Sequence, residues 1–201
     1  AAMGYTFFAL AGILTQIGLL SLVDADVQAV SLSLQAQVSR LDIGSPLASN
    51  QAKRLAQKLN GNLIVIYGGD FLAPVARRWK TEFNENAKAW AFYELMPELG
   101  HNTLVSYEHP RSQARNTVIA LLSSPDLPPR IKARFQVVQE VLGRYGVQFE
   151  KVEAQSKGKL GQMMELALLG AYTSYYLAAL NQVDPMPVEI IDYWKKRLSE
   201  I

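Results

Sequence analysis

No cysteine occurs among the 201 residues, so disulfides, zinc–thiolate centres and a cysteine nucleophile are excluded together. Histidine is nearly absent as well. His101 and His109 are the two in the chain, too few for a histidine-rich metal site. An excess of either charge is also missing: 20 Lys and Arg against 18 Asp and Glu leave a formal net charge of +2. The densest basic cluster, Lys195-Lys196-Arg197, reads as a solvated helix face. Nucleic acid and an anionic membrane are therefore not expected as main partners. What is present is ordinary for a globular protein, with 49% hydrophobic and 9% aromatic residues, which excludes general disorder. The length suffices for a sizeable core. A reducing cytoplasm is the expected home of such a chain.

Residues 1–23 carry no charge. A membrane span is just long enough there, but Gly4, Thr6, Gly12, Thr15, Gln16 and Gly18 interrupt it. No basic segment precedes it and no small-residue cleavage pattern closes it, which argues against a signal peptide. A buried helix over 1–20 is the expected outcome. The chain starts without an initiator methionine, directly in helical pattern, and is expected to be the cut end of something longer.

Val27, Val30, Leu34, Val38 and Leu41 recur at helical spacing, predicting a helix over 24–41 with Asp24 as N-cap. Gly44-Ser45-Pro46 stops it. A helix over 47–59 follows, closed by Asn60-Gly61. The apolar, β-branched run 62–67 then predicts a buried parallel strand ending at Gly68-Gly69. Helix 71–88, strands at 89–93 and 117–122, helix 128–144, strand 147–152, and helices 158–182 and 188–199 complete the pattern. Alternating strands and helices after residue 60 predict right-handed βαβ units, hence an α/β fold with a parallel sheet covered by helices on both faces. Residues 1–45 are expected as a helical segment packing on the sheet domain or on a partner subunit, and 46–201 as the α/β domain. Ligands of such sheets sit beyond the carboxyl ends of the strands. That points to the loops 67–70, 94–110 and 123–125.

Gly68-Gly69 lacks the third glycine of a dinucleotide fingerprint and the Lys-Ser/Thr of a P-loop. Asp70 beside it would repel an anion, so the pair is weak as a phosphate turn. Asn84-Glu85-Asn86-Ala87-Lys88 places a carboxylate between two amides at a helix end. It is either a solvated terminus or a general base oriented by the amides. Pro97-Glu98-Leu99-Gly100-His101-Asn102 sets a histidine in a glycine-containing loop beyond a strand, either structural or placed for proton transfer near neutrality. No Gly-x-Ser-x-Gly elbow exists, and Ser123 and Ser124 before Pro125-Asp126 fit turn chemistry.

Tyr67-Gly68-Gly69, Arg77-Arg78-Trp79-Lys80, Phe83 to Lys88 and Pro97 to Asn102 together resemble the bifunctional phosphoglucose/phosphomannose isomerase family of the sugar isomerase (SIS) superfamily. The tail Val183-Asp184-Pro185-Met186-Pro187-Val188-Glu189, followed by a lysine-bearing helix, resembles that family's C-terminus. The likeness covers essentially the whole chain, as the second half of such an enzyme. It implies a three-layer αβα sandwich with a mainly parallel, flavodoxin-like sheet, preceded by N-terminal helices.

By resemblance, Glu85 matches the base that moves a proton between C1 and C2 through a cis-enediol. His101, 16 residues later, matches the ring-opening acid/base, and relatives supply it across a dimer interface. A C-terminal lysine assists at the ring oxygen or hydroxyls; Lys195 is the first choice and Lys196 the fallback. Asn86, Asn102 and Lys196 are the expected substrate-binding residues. The implied substrate is glucose 6-phosphate and fructose 6-phosphate, with mannose 6-phosphate a further candidate. No metal or organic cofactor is implied, and the expected assembly is a homodimer with shared sites. The family's Gly-Ser and Ser/Thr-rich phosphate loops are not in this sequence, nor is the arginine expected just before Ala1, and Gly100 replaces the usual asparagine. The chain is therefore expected to be the catalytic half of a longer isomerase, inactive alone for want of the phosphate grip. The competing reading is a non-catalytic sugar-phosphate-binding or dimerisation module. A domain attached to a membrane through 1–20 is a third reading.

Overall fold

Two apolar runs without alternation, Leu63–Gly69 (β1) and Thr117–Ser123 (β3), pair in parallel at the middle of a four-stranded sheet. Every residue of β3 is buried, as a strand covered on both faces requires. Ala91–Met96 (β2) flanks β1 and Gln148–Glu153 (β4) flanks β3, giving the strand order β2-β1-β3-β4 with all pairs parallel. The structure, a computed structural model, describes residues 3–201; Ala1 and Ala2, the first residues of the expected helix 1–20, lie outside the described residues. The helices are Met3–Gln16 (α1), Asp24–Leu41 (α2), Gln51–Leu59 (α3), Ala73–Glu85 (α4), Arg111–Arg115 (α5), Pro129–Tyr145 (α6), Gly158–Leu180 (α7) and Glu189–Ser199 (α8). Short 3-10 turns lie at Asp70–Leu72, Glu98–Gly100 and Thr103–Glu108.

Two consecutive glycines show the layers directly, since neighbouring side chains of a strand point to opposite faces. A Cβ on Gly68 would stand 2.7 Å from Cβ of Ala76 in α4, and one on Gly69 would stand 3.3 Å from Ile131 in α6. The glycine pair is thus demanded by helices pressing on both sides, a packing reason rather than a phosphate site. The α/β sandwich with a parallel sheet and flanking helices is the expected fold, and the four strands keep the flavodoxin-like order.

On the α4 side, α7 packs against α2, α3 and α4. Trp79 of α4, fully buried, donates from Nε1 to the carbonyl of Leu166 in α7 at 2.7 Å. Gly170 lets the indole in: a Cβ there would meet Nε1 at 2.3 Å. Phe83, one turn further along α4, meets Trp79 edge to face with centroids 5.8 Å apart. The α2 helix is tied to the same α7 by Gln37 Nε2 donating to the Glu165 carbonyl at 3.0 Å. The Tyr176 hydroxyl reaches the last α2 carbonyl, Leu41, at 2.5 Å.

Several expectations need correction. Asp24 is the first residue of α2, not its cap; Val23 occupies the cap position without a side-chain bond. The expected helix 47–59 begins at Gln51, because Asn50 accepts from the Lys53 amide with its side chain and so stops helical pairing upstream. The expected helix 71–88 ends at Glu85, where Lys88 takes a positive φ of 51° and donates from Nζ to the Glu85 carbonyl at 2.6 Å. The N-terminal helix is not buried within the chain: Ala11 is its one buried residue, while Tyr5, Leu10 and Ile13 are exposed. Its apolar residues run all round its circumference, so a single line of contact cannot cover them. No helix among the described residues is long and apolar enough to cross a membrane.

Gly170→Ala drives a methyl into the Trp79 ring and is expected to cost about 1–3 kcal/mol, as overpacking in a filled core does. A Cβ on Gly100 would meet nothing within 4 Å, so Gly100→Ala changes stability by less than about 0.5 kcal/mol. Urea unfolding of the two variants checks the contrast.

Candidate active site

Glu85 is the last residue of α4, and its position follows from the Trp79–Gly170 contact two turns earlier in the helix. The two amides beside it do not orient its carboxylate. Asn84 Nδ2 donates to the Ala89 carbonyl at 2.9 Å and, longer, to that of Ala91. Asn86 Nδ2 uses both protons, on Glu82 Oε2 and on Ser174 Oγ of α7, each at 2.9 Å. Both amides therefore anchor the turn between α4 and β2. Glu82, itself ion-paired with Arg78, is the half-hidden carboxylate in that anchor. Its place one turn before Asn86 is the sequence signal that identifies it.

The Glu85 side chain itself is exposed, with no ion pair or hydrogen bond to its carboxylate among the described residues. It opens into a groove of about 870 Å³, within the range of small-molecule sites. Trp90 and Phe92 line one wall, their rings 6.0 Å apart. The other wall is the segment leading into α8, with Asp184, Glu189, Ile190 and Ile191. That segment folds back because Lys88 Nζ donates to the Pro185 carbonyl at 3.3 Å and Asn181 Nδ2 to the Ala87 carbonyl at 2.9 Å. None of these wall residues was singled out from the sequence as a site residue, and Trp90, exposed at 77%, has no packing reason within the chain.

Lys195 and Lys196 are exposed on α8 and are not among the residues lining the Glu85 groove. Lys195 lies one turn after Ile191 and continues the stripe facing the groove; Lys196 is turned a further ~100° about the helix axis. Lys195, Lys196 and Arg197 are solvated, with Arg197 paired to Glu200.

His101 follows the 3-10 turn after β2 and is exposed. It lines a different groove, of about 350 Å³, with Met96, Pro97, Leu104, Arg130 and Arg134. Asn102 donates to Glu98 Oε1 at 3.4 Å and accepts from Thr103 Oγ1 at 3.0 Å, so it braces the His101 turn. The carboxyl-edge rule thus leads to His101 and misses Glu85, which lies at the amino edge of the sheet. Between them runs the whole of β2, six residues, or about 20 Å at a strand's rise. One chain does not bring Glu85 and His101 together. Of the other loops at that edge, Ser123 and Ser124 are buried and bonded to Glu153 and Gln162, which leaves them structural.

Beneath the segment carrying His101, the hydroxyls of Tyr67 on β1 and Tyr107 are hydrogen-bonded to each other. Burial pushes both phenols above their ordinary value of 10.0; for Tyr67 the neighbouring Tyr107 and Glu94 add to the rise, and for Tyr107 the bond from Tyr67 partly offsets it. No group of three or more metal-ligating side chains occurs among the described residues.

Comparison with known proteins bears on this arrangement. Residues 48–198 match the family described as bacterial phospho-glucose isomerase C-terminal SIS domain. The bifunctional phosphoglucose/phosphomannose isomerase of Caldicellulosiruptor bescii is 32% identical over all of this chain and 60% of its own length. That of Thermoplasma acidophilum is 36% identical over 67% of this chain and 42% of its own. A solved glucose-6-phosphate isomerase-like protein from Thermus thermophilus superposes with a TM-score of 0.71 at 25% identity, over 86% of this chain and 57% of that one. The chain spans 60% or less of the length of these relatives.

The tyrosine pair makes a pH prediction. A phenol whose folded value is raised contributes stability that is complete below the unfolded value near 10 and is lost as pH rises above it. Stability measured by urea is expected to fall as pH rises above about 10, and Tyr67→Phe is expected to reduce that fall.

Proposed function

The chain belongs to the family of bacterial phospho-glucose isomerase C-terminal SIS domains, and on that premise we propose that it is the C-terminal part of an aldose–ketose isomerase of sugar phosphates. The substrate pair is glucose 6-phosphate and fructose 6-phosphate, with mannose 6-phosphate as a further aldose. The observation that carries the reading is the Glu85 carboxylate, without a partner among the described residues, at the end of an anchored helix and facing a groove large enough for a sugar phosphate.

In the open-chain aldose, the hydrogen on C2 is acidified by the neighbouring aldehyde. Glu85 takes that proton, leaving a cis-enediolate with its charge on O1; a proton gained at O1 and one lost from O2 carry it through the cis-enediol, and Glu85 returns its proton to C1 to give the ketose. The helix end supports this step because the backbone beneath the carboxylate is fixed by Asn84 and Asn86. A positioned base of this kind contributes about 10²–10⁴ in rate. His101 opens the sugar ring by passing a proton to the ring oxygen. Lys195, with Lys196 as the alternative, attends the ring oxygen or hydroxyls from α8.

The separation of Glu85 from His101 along β2 supports a homodimer in which each site takes Glu85 from one chain and His101 from the other. The exposed apolar residues of α1 and α8 are available for such an interface. We place the protein in the cytoplasm and assign the reaction no cofactor.

Measured on protein carrying the phosphate-gripping subdomain, Glu85→Gln is expected to lower kcat for fructose 6-phosphate by about 10²–10⁴ with sugar-phosphate binding retained. Unchanged turnover would assign the base elsewhere, and an inactive parent protein that still binds would favour a binding or dimerisation module.

A mixing experiment tests the shared site. Glu85→Gln and His101→Ala proteins, each inactive, are expected on subunit exchange to regain about a quarter of the parent activity, the statistical yield of one intact site per mixed dimer. No recovery after demonstrated exchange would put both residues of a site on one chain.

A further inference from the structure

We propose that Arg130 and Arg134 of α6, with His101 facing them, form a binding subsite for a phosphoryl dianion at the carboxyl edge of the sheet. The two arginines sit one turn apart on the α6 face that lines the His101 groove, with Ala133, Val137 and Val138 beside them. At that spacing two like charges are neighbours and repel. Nothing in the groove relieves them: its lining contains no carboxylate, and neither guanidinium enters an ion pair among the described residues.

The helix makes the concentration of positive charge sharper. Arg130 lies in the first turn of α6, where the helix dipole already presents positive potential. Pro128 at the cap position supplies no side-chain acceptor to neutralise it. Two fork-shaped guanidinium donors and an imidazole therefore line one groove of about 350 Å³. Guanidinium pairs suit tetrahedral oxyanions because each can offer two parallel N–H donors. The apolar remainder of the lining, Met96, Leu104, Val137 and Val138, offers the guanidinium groups no competing acceptor from its side chains.

This groove is separate from the Glu85 groove of the same chain, and phosphate binding there does not require Glu85 to be the base of an isomerase. The dianion is either free phosphate or the phosphate of a sugar phosphate, and the two sources are separable by experiment.

The probe is inorganic phosphate, titrated calorimetrically into the full chain at low ionic strength, with the His101 imidazole followed by NMR. Saturable binding is expected, weakened at least about tenfold in Arg130→Gln/Arg134→Gln, the size of effect that loss of charge-assisted bonds produces. The His101 resonances are expected to move in the parent protein and not in the variant. Both arginines are exposed, so the variant keeps its fold, which circular dichroism checks. Fructose 6-phosphate that competes with phosphate for this site identifies the sugar phosphate as a source; phosphate binding without such competition identifies the free ion. Phosphate binding is read apart from turnover, so failure of the isomerase reading leaves this subsite standing. Equal phosphate affinity in parent and arginine variant, no saturable binding in the parent, or equal binding of unphosphorylated fructose would overturn the proposal.

Discussion

The contact between Trp79 and Gly170 governs the half of the molecule that carries Glu85. An indole enters α7 where only a hydrogen atom stands in its way, and its N–H is satisfied by a helix carbonyl there. That fixes α4 in both position and rotation, since Trp79 and Phe83 share one buried stripe. Two turns after Trp79 the helix ends at Glu85, and Asn86 reaches back to Ser174 on the same α7. The carboxylate is thus exposed while the backbone beneath it is held at both ends of the turn. A group that must accept and return a proton benefits from this arrangement, because its rotamers stay free while its origin stays fixed.

The sheet imposes the second constraint. With all strands parallel, a helix that follows one strand ends at the amino edge, and the loop after the next strand emerges at the carboxyl edge. Glu85 and His101 belong to these two classes, with β2 between them. No side-chain adjustment bridges a strand's length. Chemistry that needs both groups at one substrate therefore needs two chains, and the grooves differ in character accordingly: carboxylates and aromatic rings around Glu85, arginines around His101.

Much of this was legible in the sequence. The β-branched run ending at Gly68-Gly69 and the uniformly apolar stretch 117–122 marked central strands, because burial on both faces removes alternation. Helix boundaries were legible where periodicity alone set them, as at 24–41, and less so where a side chain competed for backbone groups, as at Asn50 and Lys88. Hydropathy predicts burial for the apolar N-terminal helix because it reports what a helix can cover and not whether anything covers it.

Residue types and spacings by themselves determined the α/β class, the order of elements and the two segments holding Glu85 and His101, since these follow from local periodicity and short motifs. Tertiary structure alone decided the rest. It showed that Asn84 and Asn86 serve the backbone and not the carboxylate, that the α8 segment walls the Glu85 groove, and that Arg130 and Arg134 stand beside His101. Each of these joins residues far apart in the chain. Such meetings depend on which helix packs on which face, and local sequence does not encode that.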